Sequence, residues 1–287
     1  MNKVAIVTDS IASIPENFLQ SLKIHTVAYY IHRGQEVLRD LVTINREEFF
    51  TWMKTATTVP QTASPGPGDY FTLYQKLADE GTKEIVSIHM SSKGSGAYQA
   101  ARAALPMVKE QLPSLKVEVI DTLSVSMGQG WIALEAARAA MDGKSLKEIL
   151  QLITRMIPVT KMIQTADTLK YLYMGGRIGK AKHLVGSLLN IKPLIGMENG
   201  LIVALGTARS QAKAYQSMGD MIEQSIHNGK IKIAYVHAAA KEEILRLKEE
   251  IESRVQVVES MITELSPALG VHSGPGTTGL CYYPVSE

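Results

Sequence analysis

The stretch from Glu84 to Ala101 constrains this chain more than any other. Its β-branched run, Ile85 to Met90, reads as a buried strand, and the alanine-rich segment from Ala97 onward reads as a helix. Between them lies a loop of hydroxyls and glycines, Ser91-Ser-Lys-Gly-Ser-Gly96. A loop placed this way aims backbone N–H groups and the hydroxyls of Ser91, Ser92 and Ser95 at one point beside a positive helix end, which suits an oxygen-rich or anionic group. The same residues also suit an ordinary turn, with Gly94 and Gly96 supplying backbone freedom and Ser95 an N-cap. The loop alone leaves both readings open.

The rest of the first half repeats the pattern. Val4 to Val7 is a strand run ending in Thr8-Asp9-Ser10, and Ser13-Ile-Pro-Glu16 reads as a capping box that opens a helix. His25 to Ile31 reads as a second strand, and Asn45 to Glu48 as a helix start. Thr57 to Asp69 is too rich in proline and glycine for a regular element, so it reads as a stiffened loop carrying Thr62 and Ser64, and loops this long usually have a job. Val117 to Thr122 is another strand, followed by an apolar helix from Ser126 to Met141 and a helix capped by Ser145. Alternating strands and helices imply a mainly parallel sheet, whose carboxyl-end crevice would place Asp9, Ser91–Ser95 and Asp121 on one rim.

Near Pro158 the style changes, and the chain divides into an N-terminal α/β domain, 1–158, and a C-terminal α/β domain, 159–287. Val159 to Gln164 reads as a strand. Lys170 to Lys180 breaks a helix with paired glycines, and an amphipathic piece runs from Ala181 to Leu189. Met197-Glu-Asn-Gly200 separates two strand runs, a hairpin signal. A long helix from about Ser210 to His227, a strand Ile231–Val236, a charged helix Lys241–Arg254 and a strand Val255–Val258 complete a layer with an antiparallel component. The charge run is a solvated helix face with i,i+4 pairs.

Composition excludes some functions. Thirty Lys and Arg against 28 Asp and Glu leave a formal net charge of +2, so no overall field draws the chain to nucleic acid or an anionic membrane. Hydrophobic residues are 45% but aromatics only 6%, which favours an aliphatic interior over a base-stacking surface. One cysteine, Cys281, fits a reducing compartment, and no run reads as a signal peptide or membrane span; a soluble cytoplasmic protein is expected.

Several motifs fail on context. Gly274-Pro-Gly-Thr-Thr-Gly279 matches the dinucleotide fingerprint as a string, but no βαβ unit with a downstream acidic residue follows it. Gly143-Lys-Ser145 lacks the earlier glycine of a phosphate loop, because Arg138 holds that position, and there is no Gly-x-Ser-x-Gly elbow. The seven histidines show no paired metal-ligand spacing, so no metal is expected. His272 stands apart, since Gly270 to Gly276 reads as a constrained glycine loop that turns its imidazole toward a ligand.

Five segments, taken in order, resemble one family. Thr8-Asp-Ser10, Thr62 to Asp69, Ser91 to Gln99, the run Thr168 to Gly179 with Leu188 to Pro193, and Val271 to Gly276 are similar to the DegV family of bacterial fatty-acid-binding proteins. The resemblance implies two α/β domains with a long-chain fatty acid between them, its tail in a buried tunnel, and no catalysis or cofactor. It implies a carboxylate held by Thr62 and Ser95 with His272 close by, among the Ser91, Ser92, Gly94 and Gly96 loop. It further implies presentation of the lipid to a separate fatty acid kinase or a role in lipid transport, with Arg177 and Arg209 near the head group or the kinase contact. Ala63, Ser64 and Gly94 depart from the family pattern, where a serine, a glutamine and a leucine are common, and bear on the carboxylate network and tunnel mouth.

Physics agrees with such a ligand. Neutral hydroxyl donors satisfy a carboxylate without burying an ion pair. About fifteen methylenes at ~0.8 kcal/mol each contribute roughly 12 kcal/mol gross, so the tail sets affinity and the head sets orientation. The helices Ser126–Met141 and Ala181–Leu189 are candidates to line the tunnel. Two other functions fit the residues: an enzyme acting on a small phosphorylated or carboxylated substrate, with Ser95 or His272 reacting and Asp9 or Asp121 orienting, or a lipid-sensing regulatory module.

Overall fold

Alternating strands and helices in the first half build a parallel sheet, and the hairpin-rich second half builds a mixed one. The structure is a computed structural model and describes residues 4–184, 191–226 and 229–285. In chain order the first half runs β1 (Val4–Asp9), α1 (Glu16–Ser21), β2 (Ile24–Val27), β3 (Tyr30–Arg33), β4 (Glu36–Arg39), α2 (Arg46–Met53) and β5 (Gln61–Ala63). It continues through α3 (Pro67–Asp79), β6 (Glu84–His89), α4 (Ala97–Ala103), α5 (Leu105–Gln111), β7 (Lys116–Asp121), α6 (Met127–Met141) and α7 (Leu146–Val159). Strands pair in the order β2-β1-β6-β7, all parallel, and β4-β3-β5 form a separate antiparallel sheet.

The second half runs β8 (Lys161–Thr165), α8 (Lys170–Met174), β9 (Lys192–Glu198), β10 (Leu201–Ala208), α9 (Gln211–Ile226) and β11 (Lys230–His237). Then follow α10 (Lys241–Glu252), β12 (Gln256–Glu264), α11 (Pro267–Ser273) and β13 (Thr278–Val285). Its six strands are ordered β10-β9-β8-β13-β11-β12, antiparallel except for the β11–β12 pair. The β9–β10 hairpin turns through Asn199 and Gly200, both at positive φ, as its sequence signal requires.

Helix α6 joins the two halves. Its first two turns, 127–134, are buried on every side, as in a helix that belongs in a core. Trp131 Nε1 donates to the Cys281 carbonyl in β13 at 3.0 Å, while Gln129 Nε2 donates to Thr8 Oγ1 and Asp9 Oδ1 of β1. One hydrophobic core therefore includes Ile6 and Ile88 of the first sheet and Val236 and Cys281 of the second. At its last turns Arg138 forks onto Glu259, with Glu135 and Lys232 completing the cluster.

Several local expectations change. Ser13 does not cap α1: Pro15 is the N-cap, and Ser13, at φ 53°, accepts the Ser266 N–H through its hydroxyl and the Thr263 hydroxyl through its carbonyl. Tertiary partners outcompeted the local cap. The strand expected from His25 to Ile31 is two strands, because β2 and β3 join different sheets. The Thr57–Asp69 loop contains β5, whose pairing with β3 is a long-range contact invisible to local composition. Residues 159–160 close α7, so β8 starts at Lys161. The strand β13, central in its sheet, lies in a stretch read only for its glycines. Of the amphipathic piece Ala181–Leu189, residues 181–184 form a 3-10 turn and the rest lies outside the described residues, as do Leu188–Asn190 and His227. Among the described residues, no helix is long and apolar enough to cross a membrane.

Candidate functional site

Both halves contribute to a cavity of about 570 Å³, within the size range of small-molecule sites. Ile11, Met90 and Val125 come from the first half, and Met162, Ile195 and Leu269 from the second. The β9–β10 hairpin closes one side, because the Ser91 hydroxyl donates to the Gly200 carbonyl at 2.6 Å and Lys93 Nζ to that of Asn199 at 2.6 Å. A Cβ at Gly200 would stand 2.6 Å from Ser91 Oγ, so this docking requires glycine.

Two hydroxyls at the cavity are each backed by another side chain. Thr62, delivered by β5, lies 2.8 Å from His272 Nε2, and Ser95, one residue before the N-cap of α4, lies 2.7 Å from Tyr29 Oη. Tyr29 is 4% exposed, and burial near Asp9 raises its pKa well above the ordinary value, so it stays protonated. Ser95 Oγ also accepts the Ala97 N–H, and if Tyr29 donates to it as well, the serine proton is free to point at a ligand.

His272 obeys the same logic. Burial, helped by the Arg177 charge, lowers its pKa to about 4, so the ring is neutral. Its Nδ1 is buried without a hydrogen-bond partner, and it faces Gly175, where an added Cβ would stand 2.2 Å away. We assign the Nε2–H tautomer from this network, since the alternative strands a buried N–H donor. Nε2–H then donates to Thr62, and the threonine proton is free for an acceptor. The site thus offers two neutral O–H donors, a match for an acceptor-only group such as a carboxylate.

The helix bearing His272 is anchored in the first half. Asp40 Oδ1 accepts the Ala268 N–H near the α11 N-terminus, and Ser266 caps that helix through the Leu269 N–H. Complete burial raises the Asp40 pKa to about 6.

A second polar chain lies beneath the loop. Tyr74 donates to Ser87 Oγ, which stands 2.8 Å from His89 Nε2, and His89 Nδ1 is 3.1 Å from Asp9 Oδ2. The order imitates a nucleophile, base and acid. Ser87, His89 and Asp9 are all 0% exposed and none lines the cavity, so this triad is a satisfied core network.

A family model described as the DegV family matches residues 3–285. The chain belongs to the DegV family. A DegV domain-containing protein of Clostridium acetobutylicum is 31% identical over 284 residues, covering 99% of both chains. Protein DegV of Bacillus subtilis is 29% identical over 281 residues, 97% of this chain and 98% of its own. Among solved structures, a DegV family protein from Thermus thermophilus, described for its fatty acid binding, aligns with a TM-score of 0.91 at 29% identity over 99% of this chain and 100% of its own. The B. subtilis DegV structure, described as a fatty acid binding protein, gives 0.87 at 27% identity over 99% and 100%. The α/β architecture, parallel sheet first and mixed sheet second, is that of DegV structures.

Among the residues singled out by the DegV resemblance, Thr62, Ser91, Ser92, Gly94, Ser95, Gly96, Arg177 and His272 all line the cavity. Arg209 is exposed and does not. The Ser91–Gly96 amides do not converge on a ligand: Ser92 donates to Asp121, Lys93 to Ser91 Oγ, and Gly94 and Ser95 to the Ser91 carbonyl. The loop presents a side chain instead. Asp9 sits below the rim and Asp121 clasps the Ser92 and Leu123 N–H groups, so neither orients Ser95 or His272. His272 lies in the last turn of α11, not in a glycine loop; Pro267 at the first turn was the overlooked helix signal. Helix α6 and residues 181–184 do not line the cavity. Ser64 and Gly94 do, and a Cβ at Gly94 would press on Met90 Cε at 3.1 Å. Tyr29 was overlooked because it lay in an expected strand. Among the described residues, no group of three or more His, Cys, Asp or Glu side chains is placed to share a metal ion.

Proposed function

We propose that this chain binds a long-chain fatty acid in the cavity, with Thr62 and Ser95 donating to the carboxylate and the acyl chain along the apolar wall. The observation that carries this reading is the pair of cavity hydroxyls, Thr62 at 2.8 Å from His272 Nε2 and Ser95 at 2.7 Å from Tyr29 Oη. It is supported by the DegV neighbours from T. thermophilus and B. subtilis that are described as fatty-acid binders. Met90, Met162 and Met197 give the wall soft, adaptable side chains for a flexible tail. The ligand lies between two domains, residues 1–158 and 159–287.

The protein is a carrier without catalysis, acting in the cytoplasm with no cofactor beyond its lipid. Neutral donors hold the head group reversibly, so it can be presented to a separate fatty acid kinase or carried in lipid transport. Arg177 at the cavity and exposed Arg209 are the side chains that would meet a partner or the phosphorylated product.

Mass spectrometry of the purified protein, native and after organic extraction, tests this. A stoichiometric long-chain fatty acid is expected. Protein that arrives empty and shows no saturable affinity for long-chain fatty acids would overturn the proposal.

A further inference from the structure

One polar group in the cavity stands outside the Thr62 and Ser95 pair assigned above to the carboxylate. Along β8 the side chains alternate: Ile163 packs into the core on the far face of the sheet, while Met162 and Gln164 face the cavity. Gln164 is 9% exposed, and its carboxamide makes no hydrogen bond to any described residue. Ser273, 5% exposed, lines the same cavity, and its Oγ is also without a partner. Thr62 and Ser95, by contrast, each have one.

A plain hydrocarbon chain seated against Gln164 would strip its amide of water and return nothing. A hydroxyl on the chain would do the opposite, donating to Oε1 or accepting from Nε2. We propose that the cavity selects an oxygenated acyl chain, a hydroxy fatty acid, whose chain oxygen is received by the Gln164 carboxamide. This rests on the fatty-acid reading above and adds a second polar contact to it. Selection follows from asymmetry, because a site with a buried hydrogen-bonding group rejects the analogue that leaves it unpaired.

The test is a titration of purified, delipidated full-length protein with stearic acid and with a series of monohydroxylated stearic acids differing in hydroxyl position. At least one hydroxylated acid is expected to bind tenfold or more tightly than stearic acid. In Gln164→Leu that preference should vanish while stearic acid binds at least as well as before. Equal or weaker binding of every hydroxylated acid by the wild-type protein overturns the inference while leaving the fatty-acid reading intact, and needs no variant. Equal weakening of all ligands in Gln164→Leu also overturns it, since the amide would then serve the carboxylate. Binding of none of the acids overturns both. Gln164→Met, closer in shape, gives the same comparison if the leucine variant does not fold.

Discussion

Gly175 offers a way to displace His272 without touching it. The glycine sits at φ −75°, ψ −4°, a conformation alanine adopts freely, so Gly175→Ala imposes no backbone strain. Its new Cβ, however, would stand 2.2 Å from His272 Nδ1 and 2.9 Å from Cε1, where carbon contacts settle at ~3.5–4.0 Å. The ring cannot retreat toward Thr62, already at 2.8 Å, so it must swing out and lose that bond. Overpacking costs about 1–3 kcal/mol, and the lost hydrogen bond adds roughly 0.5–1.5 kcal/mol. In a His272→Ala background the obstacle is gone, and the same substitution should be close to neutral, with only the Tyr171 carbonyl at 3.1 Å to adjust. Urea unfolding followed by the fluorescence of Trp52 and Trp131 measures all four members of the cycle. A coupling of about 2 kcal/mol or more is expected. An equal cost of Gly175→Ala in both backgrounds would refute the packing of His272 on Gly175, and with it the assignment of its tautomer.

Other perturbations probe the remaining contacts. Thr62→Ala combined with Ser95→Ala removes the partners of His272 and Tyr29 and should lower the unfolding free energy by roughly 1–3 kcal/mol without abolishing folding, yet weaken fatty-acid binding at least tenfold; undiminished affinity rejects the carboxylate assignment. Tyr29→Phe should lower affinity several-fold, because Ser95 then loses its donor, and calorimetry against Ser95→Ala should find the two effects non-additive. The neutral His272 contributes stability that is complete above its unfolded pKa of 6.5 and lost as pH falls toward 4, roughly 2 kcal/mol between pH 7 and 5. Asp40, with its pKa raised to about 6, acts in the opposite sense over the same range, so the quantity to measure is the wild-type loss minus that of His272→Gln. No difference between the two would contradict the burial of the ring. Arg209→Ala should spare lipid binding and slow transfer to a kinase; loss of the lipid instead would place Arg209 in the pocket.

The sequence was most informative where local chemistry and tertiary structure agreed. The strand Glu84–His89, the Ser145 cap and the Asn199–Gly200 hairpin each follow from residues within a few positions. Reading failed where a distant partner decided the outcome. Ser13 resembles a cap but is used by Ser266, 253 residues away, and Gln61–Ala63 is a strand only because β3 pairs with it. The same division holds at the site. The motifs singled out Thr62, Ser95 and His272, which line the cavity, whereas Tyr29 and Gln164 come to notice only when the cavity brings them beside groups far away in sequence. Helix α6 misled for a related reason: an aliphatic helix suits a tunnel wall and a core equally, and only the second sheet on its far side makes it core.

That helix also governs the order in which the chain can be completed. Trp131 finds its carbonyl partner at Cys281, 150 residues later, in the last strand to leave the ribosome among those described. Until β13 has been synthesised, the first sheet carries an oily rod with one side bare, and the six-stranded sheet lacks its middle. Nascent chains stalled before residue 278 should therefore be chaperone clients rather than folded domains, and a truncation that removes only β13 should be as damaging as one that removes the whole second sheet.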